Sequence, residues 1–195
     1  MRIVALVAAL PGCGEAPAIC NVQADQTICW PDVTRAPHGS VSLGTGRDTF
    51  EPMPEVLPLE YGPQNGYDLV VNVRMTGFDP GSPDNILDPS NPRTRIRGFF
   101  ADTNVPLDYF ANCPTRTAYA RSSTGDYELG GTAVVFETCW RSDHLFGKQI
   151  RIELELMDDC GHYATDTKTV TAAPPTNGMY PIDQDTPGCM HAADL

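Results

Sequence analysis

Aliphatic and charged residues alternate without a break in Ile150-Arg151-Ile152-Glu153-Leu154-Glu155-Leu156, and few patterns constrain a chain more. Side chains of an extended strand point to opposite faces in turn, so this run predicts a strand with one dry face and one wet face. Asp158-Asp159-Cys160-Gly161-His162 reads as a turn, and Tyr163 to Val170, rich in threonine and β-branched residues, as the returning strand of a hairpin. A hairpin alone cannot bury its apolar row. Ile150, Ile152, Leu154 and Leu156 therefore require a second sheet supplied by the rest of the chain.

The 195 residues, 41% of them hydrophobic, suffice for one good core with flanks. Eighteen prolines and seventeen glycines, with no sustained 3.6-residue apolar stripe, favour many short strands over long helices. The fold class expected is all-β, an antiparallel sandwich of about seven strands. Leu69, Val71, Val73 and Met75 alternate with Asp68, Asn72 and Arg74 in a second half-buried strand, Val70 being the exception. Further strands are expected at Arg95 to Ala101, Thr117 to Arg121, Tyr127 to Leu129 and Thr132 to Trp140. Val41-Ser42-Leu43 and the segment Phe50 to Leu59 read as edge pieces, because Pro52, Pro54 and Pro58 remove ladder donors. Arg93, Arg95 and Arg97 look like one wet strand face. A net charge of -12 repels phosphate, so nucleic acid is not an expected partner.

Arg2 followed by the apolar run Ile3 to Leu10 suits a signal peptide over residues 1–12 and is far too short to span a bilayer. Leu10-Pro11-Gly12-Cys13 resembles the lipobox of bacterial lipoproteins, which implies acylation of Cys13 and a membrane anchor. The rival is cleavage after Ala16-Pro17-Ala18, which would release a soluble protein. Setting Cys13 aside leaves Cys20, Cys29, Cys113, Cys139, Cys160 and Cys189, an even set that predicts three disulfides in an oxidising compartment. Pairing of sequence neighbours is expected, Cys20 with Cys29, Cys113 with Cys139 and Cys160 with Cys189, since the regions around the first and last pairs carry no strand signal and each needs a staple worth roughly 3 kcal/mol. Residues 13–39 read as a linker with Trp30-Pro31 as a surface anchor, 40–173 as the sandwich, and 174–195 as a tail.

Strand spacing over about half of the chain resembles an immunoglobulin-like or polycystic-kidney-disease-like sandwich. The central strands at Leu69 to Met75 and Ile150 to Leu156 lack the cysteines of antibody domains. Leu43-Gly44-Thr45-Gly46, Phe50-Glu51-Pro52, Gly62-Pro63-Gln64-Asn65-Gly66-Tyr67 and Gly77-Phe78-Asp79-Pro80 resemble successive signposts of a family of uncharacterised exported bacterial lipoproteins. Where members of that family often carry a histidine after the Gly-Pro-Gln-Gly-Gly segment, this chain has Tyr67-Asp68.

Nucleophile-elbow, zinc-protease, Walker A and dinucleotide signatures are absent, and neither a catalytic residue nor a cofactor is expected. His38, His144, His162 and His191 read as exposed bystanders, and Cys160-Gly161-His162 as a disulfide beside a histidine. Asp79, Asp84, Asn85, Asp88 and Asn91 in one loop, and Asp158, Asp159 and Asp166 near the closing turn, could collect oxygen ligands for calcium. Turn formation is the stronger reading, so no metal site is expected. Phe99, Phe100, Tyr119, Tyr127, Phe136 and Trp140 read as core and rim, and Tyr109-Phe110 as loop packing or a partner patch. The function expected is non-enzymatic binding at the cell envelope, loops presented to protein or polysaccharide. The alternatives are an envelope hydrolase or accessory domain using the acidic loops, and a structural spacer stabilised by calcium.

Overall fold

A computed structural model describes residues 36–62, 66–108, 113–136 and 139–176. These form β1 (Ala36–Pro37), β2 (Ser40–Thr45), β3 (Glu51–Pro52), β4 (Val56–Pro58), β5 (Glu60–Tyr61), β6 (Tyr67–Thr76), β7 (Arg93–Phe100), β8 (Thr115–Arg116), β9 (Ala120–Arg121), β10 (Tyr127–Val135), α1 (Ser142–Leu145), β11 (Gln149–Met157) and β12 (His162–Ala173). One sheet runs β1-β12-β11-β7-β8 with β4 also on β12, and the other runs β3-β2-β6-β10-β9 with β5 on β6. The long pairings are antiparallel, whereas β1 and β4 lie parallel to β12. The order β2-β6-β10-β9 facing β8-β7-β11-β12 is the A-B-E-D against C′-C-F-G order of an immunoglobulin-type sandwich. The first edge divides between the sheets, β2 pairing with β6 and β4 with β12.

The all-β sandwich expected from periodicity is the fold, with more strands than the seven expected. The surplus is made of two-residue pairings such as β1, β3, β5, β8 and β9, too short to carry a period. Two expected strands, Tyr127 to Leu129 and Thr132 to Trp140, are halves of β10, broken by a bulge between Leu129 and Thr132. Trp140 lies beyond β10, in the connection to β11. Strand pairing begins at Ala36, inside the stretch read as linker.

Ile150, Ile152, Leu154 and Leu156 form the dry row of β11, each no more than 1% exposed. Opposite them in the other sheet stand Leu69, Val71, Val73 and Met75, equally buried. Each such side chain stabilises the fold by about 1.5–3 kcal/mol. The buried Trp140 donates from Nε1 to the Leu107 carbonyl at 3.0 Å and meets Phe100 edge-on at 5.0 Å. Such pairing satisfies the one polar atom of a large apolar side chain.

Neither outer face is as wet as alternation alone suggests. Asp68, Val70 and Asn72 on the far side of β6 are also buried, and the chain between β2 and β3 folds back across that face at Asn72 and Arg74. Asn72 donates to the Gly46 carbonyl at 3.3 Å, Arg74 stacks on the Phe50 ring at 4.2 Å, and Glu128 accepts from the Phe50 amide at 2.9 Å. Any Cβ on Gly130 would stand 2.5 Å from the Arg47 carbonyl, so the bulge needs glycine there.

The arginine row of β7 is likewise not a wet face. Arg95 pairs with Glu155, Arg97 with Glu153 at 3.0 Å, and Arg93 with Asp159 at 2.7 Å. Cross-strand register sets opposite charges side by side and shields them.

Candidate functional site

The end of the sandwich where β6, β7, β11 and β12 begin or finish carries two connections, residues 77–92 between β6 and β7 and residues 158–161 between β11 and β12. In an immunoglobulin-type domain these are the B–C and F–G connections, where recognition loops cluster. The 77–92 segment is a chain of short turns. Asp79 Oδ1 accepts from the Gly81 amide, Asn85 Oδ1 from the Leu87 amide, and Asp88 Oδ1 from both the amide and the hydroxyl of Ser90. Asp and Asn side chains close turns on the amide two residues ahead in just this way. The Ser90 hydroxyl and amide together hold the Asp88 carboxyl below the ordinary aspartate range.

Under this loop lies the fully buried Asn91. Its Oδ1 accepts from the Ser82 amide at 2.7 Å and its Nδ2 donates to the Asn85 carbonyl at 2.9 Å. Gly81, at φ +74, leaves no room for a Cβ, which would meet that Oδ1 at 2.3 Å. Arg116 on β8 donates to the carbonyls of Pro89 and Asn91 and to both carboxylate oxygens of Asp159. Arg93 shares Asp159. One guanidinium thus ties the two loops together, using the planar fork that suits several acceptors at once. On this clamped base Ile86 and Leu87 stand out, 77% and 83% exposed.

The closing turn is built around Asp158, 5% exposed. Its Oδ1 accepts from the amides of Cys160 and His162, both at 2.9 Å, and its Oδ2 lies 2.7 Å from His162 Nδ1. The His162 ring stacks on His38 at 4.2 Å, and His38 meets Phe78 edge-on. His144 Nδ1 accepts from the Arg141 amide at the start of α1. His38 is exposed as expected, whereas His144 and His162 are half-buried, and all three make local contacts; His191 lies outside the described residues.

Asp158, Cys160 and His162 bring potential ligand atoms within 4.8 Å of one another. Cys160 is, however, disulfide-bonded, as are Cys113 and Cys139, and a disulfide sulfur is not the thiolate that a metal or a nucleophilic mechanism uses. Both Asp158 oxygens already serve the turn. Asp166 is equally occupied, accepting from the Leu43 amide at 2.8 Å and pairing with Lys168 at 3.2 Å.

Of the aromatic residues singled out above, Phe100, Tyr119, Phe136 and Trp140 are buried. Phe99 carries two guanidiniums, Arg97 and Arg151, at 5.1 and 4.9 Å. Burial pushes the Tyr119 hydroxyl well above the usual tyrosine range, offset in part by its hydrogen bond with Thr94 at 2.8 Å. Cys13, Cys20, Cys29, Trp30, Pro31, Tyr109, Phe110 and Cys189 lie outside the described residues. Sequence reasoning missed the Ile86-Leu87 tip and the Arg116 clamp. An aliphatic pair set among turn residues was the available signal for the tip, while the partners of Arg116 are far away in the chain.

The fold is an immunoglobulin-type sandwich whose 77–92 and 158–161 connections are tied together through Arg116. The chain matches no protein-family model, and neither a curated protein nor a solved structure is significantly similar to it. Among the described residues no helix is long and apolar enough to cross a membrane.

Proposed function

We propose that this chain is a non-enzymatic binding module of the bacterial cell envelope, held there by acylation of Cys13, whose B–C and F–G loop end meets a protein partner. The observation that carries the binding part is Ile86-Leu87, two adjacent aliphatic side chains held in water on a loop clamped by Asn91 and Arg116. Covering them on association gains about 25 cal/mol for each Å² of apolar surface removed from water. A clamped loop loses little further freedom when it docks. An aliphatic tip suits a pocket on a protein. Polysaccharide recognition would call for exposed aromatic faces, and the exposed large apolar side chains among the described residues are Val56, Ile86, Leu87 and Val135.

The lipobox-like segment and the signposts shared with exported lipoproteins support the anchoring, and the disulfide-bonded cysteines suit an oxidising compartment. The pairing remains that of sequence neighbours, Cys113 with Cys139 and Cys160 with Cys189, with Cys20 to Cys29 nearer the anchor. More than one acyl chain on Cys13 would make attachment stable, at about 0.8 kcal/mol for each buried methylene.

Two experiments test this reading. A photoreactive side chain at position 87 of the full chain in intact cells should give a discrete protein adduct that Ile86→Asp suppresses. The same probe at Val56 should give none, and equal labelling at both positions would discard the loop end as the binding surface. Intact mass with non-reducing peptide mapping should find an acylated mature terminus at Cys13. A mature chain beginning at Ile19 without lipid would overturn the anchor.

A further inference from the structure

On the flank away from β12, the two sheets part along β7 and β10 and leave a cleft of about 240 Å3 whose lining includes Ile96, Leu129, Thr132 and Val134 together with the charged Arg95 and Asp108. This cleft is separate from the Ile86-Leu87 tip. β10 pairs with β6 along its length, but β9 covers its other edge only at Tyr127 and Glu128. The Phe136 amide donates to the Tyr67 carbonyl at 2.9 Å, which fixes the alternation. Residues 132, 134 and 136 turn their backbone groups toward β6, and Ala133 and Val135 turn theirs outward. Among the described residues no partner takes those outward groups, and both residues are exposed.

We infer that the edge of β10 at Thr132 to Val135, uncovered among the described residues, is a strand-addition site for an extended segment of a partner protein, uncharged at its centre, with aliphatic side chains at alternate positions. Two outward N–H groups and two outward carbonyls specify an extended backbone as the ligand. A strand laid there turns every second side chain inward, into the cleft between Ile96 and Val134. The volume holds the side chains of a single added strand. Charge disfavours a second copy of this chain: residues 130–136 are uncharged, while two chains of net charge -12 repel each other. The other flank already uses the same principle, since the Asp166 carboxylate there occupies the Leu43 amide.

The probe is a pool of synthetic peptides Lys-X-Thr-X-Thr-X-Lys, X being Val, Ile, Leu or Ala, added to the full oxidised chain. At about 1 mM the pool should slow amide exchange at Ala133 and Val135 by about tenfold or more, relative to Thr132 and Val134. Peptides N-methylated at alternate residues should lose the effect without any change to the protein. Ala133→Pro removes an outward N–H and no ladder bond, so it should keep the fold and abolish protection. Absence of protection, protection that survives N-methylation, or a dimer in sedimentation that Ala133→Pro disperses would each overturn the assignment.

Discussion

The two flanks of the sandwich close by different means. Along the β2–β12 side, Asp166 and Lys168 occupy inward positions of β12 between its short pairings with β1 and β4, and the Asp166 carboxylate crosses to the Leu43 amide of the opposite sheet. An inward charge on an edge is costly unless paired, and here the pairing seals the flank and blocks further strand addition. Along the β7–β10 side no cross-sheet bond to an edge amide joins two described residues, and Ile96 remains half-buried beside the cleft. One fold therefore carries a latched edge and an unlatched one. Edge strands are not interchangeable: the Asp166 carboxylate spans the two sheets on one flank, and a cleft stands between them on the other.

The largest test of that contrast compares core side chains on the two flanks. Leu43→Ala, at a position 1% exposed, should cost about 2–5 kcal/mol by urea unfolding. Ile96→Ala should cost less than half as much, because its neighbours already leave space. Equal losses would show that the open flank packs as tightly as the closed one.

Breaking the latch should cost less. Asp166→Ala leaves the Leu43 amide without its acceptor, for an expected loss of about 1–2 kcal/mol. Leu43 amide exchange should accelerate while that of Val73, in the middle of the sheet, falls only with global stability. Unchanged exchange at Leu43 would mean that water replaces the carboxylate at no cost.

On the cleft side, Tyr119→Phe removes the buried hydrogen bond to Thr94 and should cost about 1 kcal/mol at neutral pH. The folded chain holds the Tyr119 proton more tightly than the unfolded chain does. Its contribution is therefore complete below about pH 10, the ordinary tyrosine value, and declines as pH rises above it toward the raised folded value. The variant should lose part of the wild-type alkaline destabilisation, read from unfolding midpoints across that range. The smallest effect belongs to Ala133→Pro, expected within about 0.5 kcal/mol of wild type because the proline falls on an edge uncovered among the described residues.

Much of this architecture was readable in the chain. Alternation named the dry rows of β6 and β11, and turn residues named the loops between strands. The turn chemistry of the segment Asp79 to Asn91 is legible in its residue types, since Asp79, Asn85 and Asp88 each sit two residues before the amide they accept from. What escaped was of long sequence range. Arg95 and Glu155 alternate like solvated residues, yet register makes them partners. The outer face of β6 is covered at Asn72 and Arg74 by Gly46 and Phe50, which fold back over it. His38 meets His162 only because β1 lies parallel to the start of β12.

The amino-acid order alone determined that this would be a two-layer β protein, because period-2 burial and turn chemistry are local and act wherever the chain goes. Only the tertiary structure decided which edge is latched, which charges are shielded and where a partner could dock. Those outcomes depend on which strands become neighbours, and that is settled by the packing of both sheets at once.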